Sequence, residues 1–251
     1  MNKKLKWTFF LVLLFIIGVS IPTFATSTLP TVNLSLNPSG TNQQTAGTVQ
    51  IVILLTILTL APSILVMTTC FTRFIIVFSF VRKALSLQTV PPNQVLIGLA
   101  MFLTFFVMAP VFTQIKTDAY DPFTKGQIQQ EEAFTKAMEP LRVFMLKQVR
   151  TKDLALFVDM SQLKDVKSYT EVPTTALIPA FILSEIKTGF EIGFLLFLPF
   201  IVIDMVVSSV LMSLGMMMLP PVMISMPFKI LLFIMVDGWN LLVEKLLITV
   251  R

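Results

Sequence analysis

The side chains that could do chemistry in this chain are those of charged residues that interrupt apolar segments. Glu185, Lys187 and Glu191 lie within seven residues of one another in the stretch PAFILSEIKTGFEIGF. Lys187 and Glu191 are four residues apart, so on a helix they face the same side and can form an ion pair. Glu185 lies off that face and needs a partner elsewhere.

The same stretch also carries a close-packing signal. Its two glycines have the small-xxx-small spacing that lets two helix backbones approach each other. A charge at membrane depth costs ~3 kcal/mol on insertion scales unless it faces protein or water. We therefore predict a subunit interface that includes Glu185, Lys187, Gly189, Glu191 and Gly193. A local ion pair at the start of a helix is the alternative.

Arg73 and Asp204 are further candidates for subunit contacts or buried charges. Arg73 is either a boundary arginine that snorkels to the membrane surface or half of a buried ion pair with an acid from another segment. Asp204 and Asp237, in neighbouring apolar helices, could form an intramembrane aspartyl protease dyad that shares a proton. The sequence before Asp204 is Ile-Val-Ile, so the Gly-x-Gly-Asp context of such proteases is missing. We interpret both aspartates as structural hydrogen-bonding groups.

The composition excludes several other kinds of site. The chain has no histidine and one cysteine, Cys70, so an intramolecular disulfide, a Cys/His zinc site and histidine-based acid–base catalysis cannot be built. A Gly-rich phosphate loop, a Gly-x-Ser-x-Gly elbow and a His-Glu-x-x-His motif are missing. No basic cluster is interleaved with aromatics, which argues against a nucleic-acid partner. We predict no enzymatic activity, no metal and no cofactor.

The elements that position these residues are those of a membrane protein. Hydrophobic residues make up 55% of the 251 residues and charged residues 13%, which is about half the usual share of a soluble domain. Apolar segments broken by prolines predict an all-α integral membrane protein of long kinked helices and helical hairpins. We expect a helical extramembrane domain between its two hydrophobic halves.

The start of the chain has the pattern of an export signal. A basic start, a short apolar run and small residues predict that residues 1–25 are a signal peptide cleaved after Ala25, with an uncleaved anchor helix as the alternative. Removing its three lysines leaves 16 basic against 14 acidic residues, so the formal charge of +5 overstates the basicity. Residues 26–47 are polar and uncharged, which predicts a flexible exported leader.

Three larger segments follow the leader. Residues 48–115 predict an N-terminal hydrophobic helical hairpin, whose first apolar run is too long for one straight span and contains Pro62. Residues 116–172 hold 18 of the 33 charged residues and predict the helical extramembrane domain, on the periplasmic or exported side. Residues 173–251 predict C-terminal hydrophobic helices, further broken by prolines. Hydropathy suggests four spans.

A methionine cluster lies between two apolar helices of the last segment. Gly215 loosens the first helix and the proline pair at Pro220 ends it, so Met216, Met217 and Met218 lie at a tight turn. Three consecutive residues fan out around a helix, so a packing stripe does not account for them. Unbranched thioethers deform to fill gaps. The cluster is either apolar filler or, in a ring of subunits, a deformable seal around a passing chain.

Long stretches of this sequence resemble the FliP/SctR family of flagellar biosynthetic proteins and their virulence-secretion relatives. These stretches are MTTCFTRFIIVFSFVRKAL with PPNQVLIGLAMFLTFFVMAP, PAFILSEIKTGFEIGF, and PFIVIDMVVSSVLMSLGMMMLPPVMISMPFKILLFIMVDGW. The resemblance implies a core subunit of the flagellar type III protein export gate. About five copies would join FliR and FliQ in a helical shell that conducts unfolded flagellar subunits, together with FlhA/FlhB.

The resemblance also implies a location and a role for the methionines. The expected location is the bacterial inner membrane, as a multi-pass protein in contact with lipid at the flagellar basal body. Met216, Met217 and Met218 match the loop that constricts the pore in the family, so the resemblance favours the gasket over plain filler. A virulence (injectisome) secretion subunit of the same family and a small-solute transporter subunit remain the alternatives.

Overall fold

The structure is a computed structural model that describes residues 42–161, 172–216 and 219–250. Within these ranges the chain is helical and contains no strand, which confirms the all-α prediction. The predicted signal peptide, its cleavage site at Ala25 and most of the predicted leader lie outside the described residues.

Helices follow one another along the chain with short connections. They are α1 (Asn42–Thr68), α2 (Phe71–Ala84), α3 (Asn93–Ile115), a π-helical turn (Lys116–Tyr120), α4 (Asp121–Thr124), α5 (Gln130–Gln148), α6 (Thr151–Met160), α7 (Thr174–Ser213), α8 (Pro221–Met235) and α9 (Gly238–Val250). The chain divides into two compact units, residues 1–55 and 56–251. The packing described below is that of the second unit.

Helix α1 differs from the expected boundary. It begins at Asn42, six residues before the predicted start at residue 48. Gln and Ala form helices well, so the polar end of the predicted leader is helical although its composition favoured a loop. The long apolar run bends by 45° at Pro62 and ends at Thr68, before α2 begins at Phe71. The bend is expected because a proline removes one backbone hydrogen bond and crowds the preceding turn.

Helix α7 is continuous for 40 residues, although two prolines lie inside it. The prediction that prolines break the C-terminal segment is wrong at Pro179 and Pro199, and also at Pro227 inside α8. Packed neighbours and local adjustments compensate for the lost hydrogen bond in apolar helices. Pro221 is instead the first residue of α8, a position where its missing N–H is not needed.

The core of the unit lies where α2 packs against the first half of α7. Helices α3, α5 and α9 add side chains to the same cluster, and α6 packs on α7. The charge-rich helices α5 and α6 are therefore packed against the apolar ones. Fully buried members of the core include Phe74, Val77, Phe78, Met108, Met145, Leu177 and Phe181.

Several helices are long and apolar enough to cross a membrane. Within the described residues, Asn93–Thr124 and Thr174–Ser213 each meet this condition alone. Two bent pairs, the halves of α1 and the pair α8 and α9, bring the number to four if each pair counts as one span. The membrane-protein prediction is confirmed. The predicted four spans are the upper end of the range that the helix lengths allow.

Candidate functional site

The charge of Arg73 on α2 is paired with Glu185 on α7. Arg73 Nε donates a hydrogen bond to Glu185 Oε2 at 3.0 Å, and Arg73 Nη2 donates to Glu185 Oε1, so the pair is bidentate. The two side chains are 2% and 0% exposed. Arg73 is therefore half of a buried ion pair and not a boundary arginine, and Glu185 has its partner inside the chain.

The remaining donors of Arg73 hold the end of α9. Its Nη1 donates to the carbonyl oxygen of Thr249 at 2.8 Å, and its Nη2 donates to Gln148 Oε1 at 3.0 Å. Gln148 Nε2 in turn donates to the carbonyl oxygen of Val250 at 2.8 Å. The last carbonyls of a helix lack partners within it, and a cation there is favoured by the helix dipole. One arginine thus ties α2, α5, α7 and α9 together.

Lys187 and Glu191 form the predicted pair on the exposed side of α7. Lys187 Nζ lies 3.9 Å from Glu191 Oε1, which confirms the four-residue pairing. Arg150, between α5 and α6, brings its Nη1 to 3.6 Å from the same oxygen. The side chains of Lys187 and Glu191 are about half exposed. The predicted subunit contact of this cluster stays a prediction.

The two glycines of the stretch let α7 approach α2. A Cβ at Gly189 would lie 3.1 Å from Ile76 Cγ2, and one at Gly193 would lie 2.5 Å from Phe80 Cγ. The second distance is shorter than any ordinary contact, so a larger residue would push the helices apart. The small-xxx-small spacing therefore serves a helix contact within the chain, and a role between subunits stays a prediction.

Asp204 binds two side chains of α8. Lys229 Nζ donates to Asp204 Oδ2 at 2.7 Å, and Ser225 Oγ donates to Asp204 Oδ1. Lys229 also donates to Ser86 Oγ at 2.8 Å, in the loop after α2, and its side chain is 2% exposed. Asp204 therefore makes the hydrogen bonds that were expected of it, and a role in subunit contacts stays a prediction. The network joins α7 and α8 to the loop that follows α2.

Asp237 has a different partner from Asp204. It accepts a hydrogen bond from Asn240 Nδ2 at 3.1 Å, at the junction of α8 and α9. An aspartyl protease dyad requires two carboxylates that share one proton. Because Asp204 is bound by Lys229 instead, the structure offers no support for the dyad.

Several residues of these networks were not predicted. A lysine inside an apolar run, such as Lys229, is itself a signal for a buried acidic partner, because an unpaired charge there is costly. Gln148, Ser86 and Ser225 carry no such signal, since uncharged polar residues occur in many environments. Only the packing of distant helices brings these side chains to the charges.

The predicted turn between α7 and α8 is confirmed. Gly215 has φ +74°, a left-handed conformation that glycine adopts without a Cβ clash. The N–H of Met216 donates to the carbonyl of Leu211 at 3.0 Å, and the N–H of Gly215 donates to that of Met212 at 3.1 Å. This pair of bonds is a Schellman motif, which ends α7 with its last carbonyls satisfied.

Met216 is the last residue of this motif. Met216 is 43% exposed, so its thioether is available for contacts outside the subunit. Met217 and Met218 lie outside the described residues. The gasket role of the three residues stays a prediction.

Comparison with known proteins identifies relatives over most of the chain. The FliP family matches residues 54–246. The flagellar biosynthetic protein FliP of Bacillus subtilis (strain 168) is 54% identical over 214 residues, which are 85% of this chain and 97% of that protein. The proteins of the same name from Treponema pallidum (strain Nichols) and Pectobacterium carotovorum subsp. carotovorum are 50% and 52% identical, covering 88% and 83% of this chain and 82% and 81% of their own lengths. The family resemblance seen in the motifs is thereby confirmed.

Proposed function

This chain belongs to the FliP family, and we propose that it is a core subunit of the flagellar type III protein export gate. Membership makes it a membrane-associated protein of flagellar biosynthesis and export. In the proposal about five copies join FliR and FliQ, next to FlhA/FlhB, in the inner membrane at the basal body. The shell conducts unfolded flagellar subunits, and the chain itself performs no catalysis.

The family match over residues 54–246 is the observation that carries the proposal. The exterior of the subunit supports it. Helices α7 and α8 expose large apolar side chains along their lengths, a surface that suits lipid or neighbouring subunits better than water. Side chains that are more than half exposed include Phe194, Leu195, Val202, Met205, Val206, Phe228 and Leu231.

The buried charges favour an assembly subunit over a small-solute transporter. In a transporter, intramembrane charges serve as ligands for substrate or ions. Here Arg73, Glu185 and Lys229 all have partners from their own chain. Their observed contacts are those of groups that fix the positions of helices.

The proposed constriction is the turn between α7 and α8. The Schellman motif fixes the direction in which the chain leaves α7. Met216 is its last residue, and Met217 and Met218 are next in the sequence. Thioether side chains are flexible and apolar. Several copies around one axis would bring many of them together, so they would close around a passing chain and part again.

Purification of the assembly tests the proposed partners. The tagged chain, extracted in mild detergent, should bring FliR and FliQ with it. The corresponding subunits of a virulence secretion system in their place would favour the injectisome alternative. A chain that purifies alone under the same conditions would contradict the gate.

Replacement of the methionines tests the gasket. Met216→Ala, Met217→Ala and Met218→Ala together should raise the ion conductance of the closed complex in a planar bilayer, because the ring loses its deformable side chains. The matched control replaces Met67, Met101 and Met160, which are exposed on helices other than α7 and α8, by alanine and should leave conductance unchanged. Unchanged conductance of the turn variant, or thioethers that point toward acyl chains in the assembled complex, would contradict the gasket.

A further inference from the structure

An apolar cavity of about 390 Å³ lies where α2, α7, α8 and α9 meet. Its walls include Val81 of α2, Phe200 of α7, Phe233 of α8 and Leu242 of α9. Helices α8 and α9, which meet at an angle of 64°, enclose one side of it. This volume and this lining are in the range of sites that hold a small apolar ligand.

The bend between α8 and α9 gives the cavity a fixed aromatic wall. A Cβ at Gly238 would lie 2.4 Å from the ring of Phe233, so glycine is what lets this ring lie against the bend. Trp239 packs edge-on against the same ring, with centroids 5.4 Å apart. The wall is therefore built by local packing.

The charge in the cavity lining is positive. Among the described residues that line it, Lys245 alone is charged, and its side chain is 64% exposed. The pairing of Lys245 Nζ with Glu244 Oε1 is long, at 3.5 Å, and both groups are exposed, so it binds the lysine weakly. The Lys245 amine is thus available to an anion near the cavity.

The polar groups of the lining are already satisfied. The carbonyl of Thr249 accepts from Arg73 Nη1, and the Thr249 hydroxyl donates to the carbonyl of Leu246 at 2.7 Å. The interior therefore offers no free polar group to a water molecule or a polar ligand. A hydrocarbon chain fits such a lining, because it gains by leaving water and loses no hydrogen bond.

We propose that the cavity holds one acyl chain of an anionic membrane phospholipid, whose phosphate binds Lys245. The long apolar stem of a lysine lets its amine reach the headgroup while the stem stays on the protein surface. Basic groups at membrane surfaces favour anionic over zwitterionic lipids. The inference requires only the membrane location of the chain and is independent of the gasket and of the partner subunits.

Trp239 provides a probe for the bound chain. The sequence contains two tryptophans, so Trp7→Phe in the full chain leaves Trp239 as the only one. The protein is reconstituted in phosphatidylcholine vesicles that contain increasing fractions of phosphatidylglycerol or phosphatidylcholine with dibrominated acyl chains, which quench tryptophan at short range. We expect half-maximal quenching at about a fivefold lower mole fraction of the brominated phosphatidylglycerol.

Two lysine variants distinguish binding at Lys245 from a general effect of the protein's positive charge. Lys245→Gln should remove the difference between the two brominated lipids, while Lys147→Gln, at an exposed lysine outside the cavity, should keep it. Equal thermal midpoints of both variants verify that folding is unchanged. Equal quenching by the two lipids in the Trp7→Phe chain, or a preference that survives Lys245→Gln, would overturn the proposal.

Discussion

Glu185 and Glu191 lie six residues apart on α7, and their carboxylates are in opposite surroundings. Glu185 is fully buried and bound by two nitrogens of Arg73. Glu191 is 57% exposed and lies 3.6 Å from Arg150 and 3.9 Å from Lys187. Loss of either partner of the buried pair should lower the free energy of unfolding strongly, because it leaves an unpaired charge in the interior. Water screens the attraction between Glu191 and its two cations, so that attraction contributes little.

This difference in burial indicates different roles for the two carboxylates, although they lie in one short stretch of the sequence. Removal of one member of a buried pair leaves an uncompensated charge in the protein interior. An exposed carboxylate keeps its hydration and can still meet a partner from another subunit. Of the two, Glu191 is therefore the group that suits contact with another subunit, and Glu185 is the group that holds this one together.

The largest expected effect is that of charge reversal at Glu185. Glu185→Lys places a second cation beside Arg73 and leaves the hydrogen bonds of Arg73 unmet. We expect the free energy of unfolding to fall by about 3–5 kcal/mol or more. The measurement is the thermal unfolding midpoint and the folded yield in mild detergent.

A double variant is the control for this prediction. Arg73→Met with Glu185→Leu removes both charges and should recover most of the lost stability, because apolar residues of similar volume can replace a buried pair. A Glu185→Lys protein with the unfolding midpoint of the unaltered chain would show that the pair does not hold the fold.

The close contact of α7 with α2 at Gly193, just after Glu191, is expected to be the next most sensitive feature. Gly193→Ala would place a Cβ 2.5 Å from the ring of Phe80, which has to move. Overpacking of this kind costs about 1–3 kcal/mol. The comparison is Gly98→Ala in α3, where nothing lies within 4 Å and alanine should stabilise the helix by about 0.5–1 kcal/mol. The two substitutions should shift the thermal unfolding midpoint in opposite directions. Equal midpoints of the two variants would mean that the α2–α7 contact is not tight.

Charge reversal at Glu191 should have the smallest effect on folding. Glu191→Lys is expected to change the free energy of unfolding by no more than about 1 kcal/mol, because the group is exposed. If this surface is the proposed subunit contact, the variant should form fewer oligomers on a native gel. Glu132→Lys is the matched control, since Glu132 is also exposed and pairs with Lys136 at 2.9 Å on α5. A normal ladder from Glu191→Lys would remove the interface proposal.

Local patterns predicted much of the secondary structure, and the prolines inside α7 are the main exception. The turn between α7 and α8 lies where it was expected, but the cap at Gly215 ends α7, whereas the proline pair that was expected to end it begins α8. Pro179 and Pro199 do not break α7, because the cost of a proline depends on whether neighbouring groups can compensate for the lost hydrogen bond. Propensity alone contains no such information.

The sequence by itself determined that this chain is helical and of membrane type, and that Lys187 and Glu191 pair, because these features depend on composition and on residues a few positions apart. Only the tertiary structure decided that Arg73 meets Glu185, 112 residues away, and that Lys229 meets Asp204 and Ser86. Many acids could have served as partners for either cation. The choice among them was made by helix packing, since the energy of a buried charge is set by the groups that surround it in space.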